Sequence, residues 1–204
     1  MGVLKYLILG FCLVSFAFQS EAQSNTKEAF EKSYTYETEG NYSEAVKALK
    51  AVYAEDQYPI NIRLAWLTYS SGMFTESIAY YSKAIRLMPY SIEARLGLTY
   101  PASAVGNWNM VIKAYQEILG IDAKNYTANY NLASIYYGKG EYKMANQHLE
   151  TIVNLYPFDY NSTILYAWTS YKLGKIREAK LLFEKALLLS PNDDSAKEGL
   201  ELLM

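Results

Sequence analysis

Cysteine and histidine are almost absent from this sequence. Cys12 is the only cysteine and His148 the only histidine among 204 residues. Because Cys12 lies in an N-terminal apolar stretch, the rest of the chain has no thiol for a disulfide, a thiolate metal site or cysteine catalysis. His148 has no other histidine, cysteine or paired carboxylate at metal-ligand spacing. We therefore expect His148 to pack on the protein surface.

The chain also has no large excess of charge of either sign, with 19 basic and 21 acidic residues. It offers no basic stripe for phosphate contacts, so nucleic acid is not an expected partner. The sequence contains no G-x-S-x-G motif, phosphate-binding loop or H-E-x-x-H motif. These absences predict a protein that is not an enzyme and that needs no metal or other cofactor.

Residues 1–22 have the order of a secretory signal peptide. Lys5 precedes an apolar run over residues 6–18, and the stretch ends at Ala22 in the small-x-small order of a cleavage site. The run is shorter than the ~20 residues of an ordinary membrane span. We expect cleavage after Ala22, no membrane span in the mature protein, and export to a periplasm or out of the cell. An uncleaved anchor, or a lipid on Cys12, is the alternative.

The sequence does contain a regular series of glycines. Four of them stand 34 residues apart, and a fifth precedes the series by 32 residues: Gly40, Gly72, Gly106, Gly140 and Gly174. Each glycine comes just before an amphipathic segment, and three of these segments are followed by Pro89, Pro157 and Pro191. Because proline cannot continue a helix, this order predicts two short helices and a tight turn in each period.

Residues 126–159 show the pattern most completely. At helical spacing they carry Leu132, Ala133, Tyr136, Tyr142, Ala145, Leu149 and Pro157. The stretch resembles the tetratricopeptide repeat, whose pattern runs W-x2-L-G-x2-Y, then A-x3-F, then P within 34 residues. Here Asn129 replaces the Trp and Leu149 replaces the Phe.

This resemblance implies an all-α fold, a right-handed superhelix (solenoid) of about five helix-turn-helix repeats. We place one continuous domain over residues 23–204. Its repeats run over about 26–57, 58–91, 92–125, 126–159 and 160–193, and a capping helix covers 195–204.

The third repeat is irregular because Pro101 lies inside its first helix. A proline there clashes with the carbonyl of Gly97, four residues earlier, and predicts a kink. One interpretation is that Gly97 and Ala102 absorb the proline. The other is that the kink widens the inner surface of the array for a partner.

The resemblance also implies a concave face formed by the fifth, ninth and twelfth places of each first helix. In this sequence those places hold Phe30 and Tyr34; Ile62, Trp66 and Tyr69; Leu96, Tyr100 and Ser103; Tyr130, Ser134 and Tyr137; and Ile164, Trp168 and Tyr171. Aromatic rings bury a large area at a small rotamer cost, which suits an extended peptide or a sugar ring. The alternative is that, in a chain with 21 tyrosines, these rings only pack neighbouring helices.

The resemblance therefore predicts an exported scaffold that binds a protein or peptide in an aromatic groove. A glycan or cell-wall fragment is the alternative ligand, and docking through the convex face is a third possibility. A clamp for a peptide carboxylate is not expected, because the Lys and Asn that it needs at the fifth and ninth places are missing. Arg63 and Asn131 also point inward by this alignment, either toward a ligand backbone or toward a neighbouring helix. The predicted partner-binding residues are Phe30, Tyr34, Arg63, Trp66, Tyr69, Tyr100, Tyr130, Asn131, Tyr137, Trp168 and Tyr171.

Overall fold

The computed structural model describes residues 24–204. The predicted signal peptide, residues 1–22, lies outside the described residues. The described part of the chain forms eleven helices: α1 (24–38), α2 (Tyr42–Lys50), α3 (Tyr58–Ser70), α4 (Phe74–Leu87), α5 (Ile92–Ala104), α6 (Trp108–Ile121), α7 (Tyr126–Gly138), α8 (Tyr142–Leu155), α9 (Tyr160–Lys172), α10 (Ile176–Leu189) and α11 (Asp194–Glu201). The predicted all-α class and the helix-turn-helix order are confirmed. None of the helices in residues 24–204 is long and apolar enough to cross a membrane.

Four of these helices begin at a side-chain cap that recurs in register. Ser91, Asn125, Asp159 and Asp193 each accept a hydrogen bond from the backbone N–H three residues later, at 3.0, 3.1, 2.8 and 2.7 Å. Such a cap satisfies one of the N–H groups that the first helical turn leaves unpaired. The repeat period is therefore also a period of helix starts.

The periodic glycines form the turns between the helices of each pair. Gly72 and Gly140 have φ angles of 79° and 76°, and the other three glycines of the series also lie in the left-handed region. In the first of these turns, Met73 N–H donates to the Thr68 carbonyl at 2.8 Å. A left-handed residue with this hydrogen bond ends a helix at low cost only when it is glycine.

The chain divides into two compact units, one ending at Trp108 and the other beginning at Asn109. In the first unit, Leu49, Ile60 and Leu64 are fully buried between the antiparallel helices. Complete burial of each such side chain contributes about 1.5–3 kcal/mol. Helix α2 ends at Lys50, so Val52, which falls in the predicted second helix, lies beyond α2 and is only partly buried.

In the second unit, Leu132, Leu149, Ile152 and Phe183 are fully buried. The predicted capping helix is α11, which begins at Asp194 and ends at Glu201. It packs against α9 and α10 and buries Ala196 and Gly199. This packing covers the apolar edge of the last helix pair.

Pro101 lies inside α5 and is buried, and the helix continues beyond it to Ala104. The kink itself stays a prediction. Gly97 has a role that the sequence did not reveal, because the ring of Tyr81 on α4 packs directly against its backbone.

Candidate functional site

The first unit contains a cavity of about 620 Å³. Five of the predicted partner-binding residues line it: Phe30, Tyr34, Arg63, Trp66 and Tyr100. Two further inner-face residues of the predicted series, Ile62 and Leu96, also line the wall. The sequence pattern therefore brought together residues from α1, α3 and α5 that do form one surface.

Three rings in this region form a contiguous cluster. The ring of Tyr69 lies 5.8 Å from that of Trp66 and 5.6 Å from that of Tyr100, measured between centroids. Trp66 is 40% exposed and Tyr100 is 52% exposed. These two rings touch each other's neighbour and still present a face to solvent, which is the condition for stacking a ligand.

Arg63 is buried beneath the same wall. Its Nη2 atom lies 2.6 Å from Glu37 Oε2, its Nε–H donates to Ser33 Oγ at 3.2 Å, and its guanidinium lies 3.8 Å from the centre of the Tyr34 ring. Trp66 Nε1–H donates to the other Glu37 oxygen at 2.6 Å. Partial burial acts to raise the pKa of Glu37, but the hydrogen bonds from Arg63 and Trp66 hold it below its usual value. Arg63 is thus engaged within the protein and fixes the positions of Trp66 and Tyr34.

A second polar group borders the cavity at Tyr58. Its hydroxyl donates to Glu93 Oε2 at 2.9 Å and lies 2.7 Å from Ser91 Oγ. Since a carboxylate only accepts, the single tyrosine proton goes to Glu93 and the Ser91 hydroxyl donates to Tyr58. Burial, followed by the bond to Glu93, raises the pKa of Tyr58.

Sequence reasoning missed five lining residues: Tyr58, Pro59, Tyr81, Glu93 and Gly97. The first residue of three first helices is a tyrosine, because Tyr126 and Tyr160 begin α7 and α9 as Tyr58 begins α3. This recurrence is a sequence signal that was available. Nothing comparable marks Glu93.

In the second unit, the predicted rings contact one another. Tyr130 stacks on Tyr126 at 5.9 Å with an interplanar angle of 6°, and Tyr137 lies 5.4 Å from Tyr142. Asn131 Nδ2–H donates to the carbonyl of Thr127 in its own helix at 2.8 Å. All three predicted residues are half-buried.

Trp168 stands in the same repeat position as Trp66 but in different surroundings. Its Nε1–H donates to Ser195 Oγ at 2.8 Å, and its ring lies 5.0 Å from Phe183 and 5.9 Å from Tyr171. Trp168 and Tyr171 are half-buried, and the capping helix supplies the partner of the indole N–H. These two rings contribute to packing at the end of the second unit.

His148 packs within the second unit, as the sequence suggested. Its ring stacks on Tyr136 at 5.8 Å, and Nδ1 lies 3.0 Å from Asn129 Oδ1. Burial lowers the pKa of His148. Within residues 24–204, no three His, Cys, Asp or Glu side chains are grouped so as to hold a metal ion.

Comparison with known proteins agrees with the geometry of the helix pairs. Residues 126–159 and 163–193 match the family model described as tetratricopeptide repeat. This is a tetratricopeptide repeat protein. The first of the matched ranges coincides with the predicted fourth repeat, and both lie in the second unit.

One curated relative of this tetratricopeptide repeat protein is the TPR repeat-containing protein YpiA of Bacillus subtilis (strain 168). The two are 30% identical over 173 residues, which are 83% of this chain and 40% of YpiA. The chain thus spans less than half the length of that relative.

Two solved structures share the fold of this tetratricopeptide repeat protein. The MamA protein superposes with a TM-score of 0.72 at 20% identity, covering 83% of this chain and 93% of MamA. A tetratricopeptide repeat protein from Parabacteroides merdae ATCC 43184 superposes with a TM-score of 0.74 at 19% identity, covering 88% of this chain and 72% of that one. At these identities the likeness concerns the fold alone.

Proposed function

We propose that this tetratricopeptide repeat scaffold binds an extended peptide segment of a partner protein in the aromatic cavity of its first unit. The observation that carries the proposal is the cluster of Trp66, Tyr69 and Tyr100, whose rings are in contact with one another and yet partly exposed. Exposed, preorganised aromatic rings are the commonest anchors of protein recognition.

The size and support of the cavity suit such a ligand. Its volume of about 620 Å³ falls within the range of roughly 300–1,000 Å³ that is usual for ligand sites. The indole of Trp66 is fixed by its hydrogen bond to Glu37, and Glu37 is fixed by Arg63. Binding therefore loses little side-chain entropy at Trp66, which favours affinity.

The predicted rings of the second unit are weaker candidates. Trp168 uses its N–H on Ser195 and packs its ring against Phe183. Tyr130 stacks on Tyr126 within the unit. We accordingly assign the binding surface to Phe30, Tyr34, Trp66, Tyr69 and Tyr100, and a packing role to Trp168.

Export is a separate part of the proposal. It is supported by the order of residues 1–22, with Lys5 before an apolar run and Ala22 at its end. The test is mass spectrometry of the mature N-terminus after cell fractionation. A protein from the envelope or the medium that begins at Gln23 is the expected result, and an intact N-terminus in the cytoplasmic fraction contradicts export.

The experiment for binding is crosslinking and affinity purification of the wild type beside two variants. Tyr100→Ala removes an exposed ring from the cavity, and Phe158→Ala removes a ring that is 86% exposed in the second unit. We expect a partner captured by the wild type and by Phe158→Ala to be lost from Tyr100→Ala, because one anchor ring commonly contributes about 2 kcal/mol or more. Equal capture by Tyr100→Ala contradicts the groove.

A glycan array with the same three proteins tests the alternative ligand. Stacking on a sugar ring uses the same exposed aromatic faces. Binding to a polysaccharide that needs Tyr100, with no co-purifying protein, replaces peptide by glycan as the ligand.

A further inference from the structure

The cavity in the first unit has two charged residues in its wall, Arg63 and Glu93. They differ in how their charge is balanced. Arg63 lies 2.6 Å from Glu37, and its side chain is 8% exposed, so its charge is neutralised inside the protein. The charge that the cavity presents to a ligand is therefore that of Glu93.

Glu93 is exposed, and its side chain is held at one oxygen only. Oε2 accepts a hydrogen bond from Tyr58 at 2.9 Å. Across residues 24–204, the ion pairs between side chains engage Glu37, Glu55 and Glu76 among the acids of the first unit's α1–α4 pairs, and none engages Glu93. Carboxylates accept up to about four hydrogen bonds, so Glu93 retains acceptor capacity for a cation.

Glu93 also lies where the aromatic cavity meets a second depression. This depression, of about 530 Å³, shares Tyr58 and Glu93 with the first and adds Met88 and Tyr90. Met88 is 50% exposed and Tyr90 is 84% exposed. A chain segment that crosses from one cavity to the other must pass the carboxylate, with apolar surface on either side.

The protein already shows how it accommodates a cation in such surroundings. The guanidinium of Arg63 lies over the Tyr34 ring at 3.8 Å and against the Glu37 carboxylate at 2.6 Å. An aromatic face and a carboxylate together suit a guanidinium, which stacks and forms paired hydrogen bonds at once. Tyr58 and Glu93 offer a second pair of these groups, in a position that solvent reaches.

We propose that the peptide bound by this scaffold carries an arginine, flanked by apolar or aromatic residues, whose guanidinium pairs with Glu93. This rests on the proposed function, because it concerns the same cavity and the same class of ligand. It adds a specificity: the ring cluster provides affinity for apolar side chains, and Glu93 selects for positive charge.

The test uses two matched, capped peptides of sequence Ser-Leu-Tyr-Arg-Leu-Tyr-Ser and the same sequence with citrulline in place of arginine. Citrulline keeps the shape of the side chain and removes its charge. Affinities are measured by titration calorimetry with the full chain and with three variants. Glu93→Gln removes the proposed charge, Tyr100→Ala removes an anchor ring, and Glu184→Gln removes an exposed carboxylate from the second unit.

We expect the wild type and Glu184→Gln to bind the arginine peptide about tenfold more tightly than the citrulline peptide, because charge-assisted hydrogen bonds are the stronger kind. Glu93→Gln should bind both peptides with equal, weaker affinity. Tyr100→Ala should lose affinity for both.

Two other outcomes separate the two proposals. Equal binding of both peptides by the wild type, still lost in Tyr100→Ala, overturns the role of Glu93 and leaves the aromatic groove in place. Binding of neither peptide by the wild type counts against the peptide groove and, with it, against the selection for arginine. Preference for arginine that persists in Glu93→Gln also overturns the assignment.

Discussion

The ring of Tyr81 fills the space in which a side chain on Gly97 would lie. Its Cζ atom is 2.5 Å from the position of a Cβ atom at Gly97, far inside van der Waals contact. The same relationship recurs three repeats later, where the ring of Phe183 packs against the backbone of Gly199. Wherever this arrangement occurs, an aromatic residue in a second helix is matched by a glycine in the next first helix.

This packing predicts that Gly97→Ala destabilises the first unit by about 1–3 kcal/mol, the usual cost of overpacking. Urea unfolding measures the change. Tyr81→Leu should recover part of the loss when combined with Gly97→Ala, because the shorter side chain leaves room for the new methyl group.

Gly120→Ala is the matched control, since Gly120 lies in α6 with no atom within 4 Å of its Cβ position. Alanine there should stabilise slightly, by up to about 1 kcal/mol, because it lowers the entropy of the unfolded chain. A Gly97→Ala variant as stable as the wild type contradicts the steric argument.

Tyr126 and Asp159 join two successive repeats of the second unit. Tyr126 donates its hydroxyl proton to Asp159 Oδ2 at 2.8 Å, and the same carboxylate caps α9 through the Ser162 N–H. Asp159→Ala should cost about 1–2 kcal/mol, because the cap is lost together with the tyrosine bond. Tyr126→Phe should cost less, since it removes only the tyrosine bond.

A double-mutant cycle isolates the shared bond. Unfolding of the wild type, the two single variants and the double variant should give a coupling of about 1 kcal/mol between Tyr126 and Asp159. Additive effects of the two changes would show that this hydrogen bond does not stabilise the repeat interface.

His148 predicts a loss of stability in mild acid. Burial lowers the pKa of His148 below its ordinary value of 6.5. The unfolded chain therefore takes up the proton at a higher pH than the folded one. Stability should be complete above about pH 7.5 and should fall as the pH drops through about 6.5 toward the folded value. The urea midpoint measured between about pH 7.5 and about pH 5.5 checks this.

His148→Phe is the control for that pH dependence. Phenylalanine can keep the stack on Tyr136 but cannot titrate. Because the sequence has a single histidine, the variant should lose most of the slope in this range. An unchanged slope would assign it to another group.

Tyr160 predicts a loss of stability in alkali. Burial, followed by a hydrogen bond to Asp193, raises the pKa of Tyr160 from 10.0 to about 12. The unfolded chain loses this proton first, so the stability from Tyr160 is complete below about pH 10 and is lost as the pH rises toward 12. Tyr160→Phe should therefore lose less stability than the wild type between about pH 9 and about pH 11. An equal loss in the two proteins, followed by urea unfolding, would contradict this role.

Much of the fold could be predicted because its signals are local. The glycines before each second helix, the capping residues such as Asp159, and prolines such as Pro157 act on the backbone within a few residues. The place of Asn129 shows the limit. Its Nδ2–H donates to the carbonyls of Ala123 and Asn125, at 3.1 and 3.0 Å, and so ties down the preceding loop. The resemblance marked this position only as a missing tryptophan, although Asn61, two repeats earlier, makes the same kind of contact.

By itself the sequence determined the helix-turn-helix period and the set of rings that face inward in each repeat, since both follow from spacing along one chain. Only the tertiary structure decided which of those rings are open to a ligand. Trp66 and Trp168 hold the same place in their repeats, yet Trp66 donates to Glu37 at the edge of a cavity, whereas Trp168 donates to Ser195 and packs on Phe183. The environment of a side chain depends on residues about 30 positions away in either direction, and no periodicity encodes that.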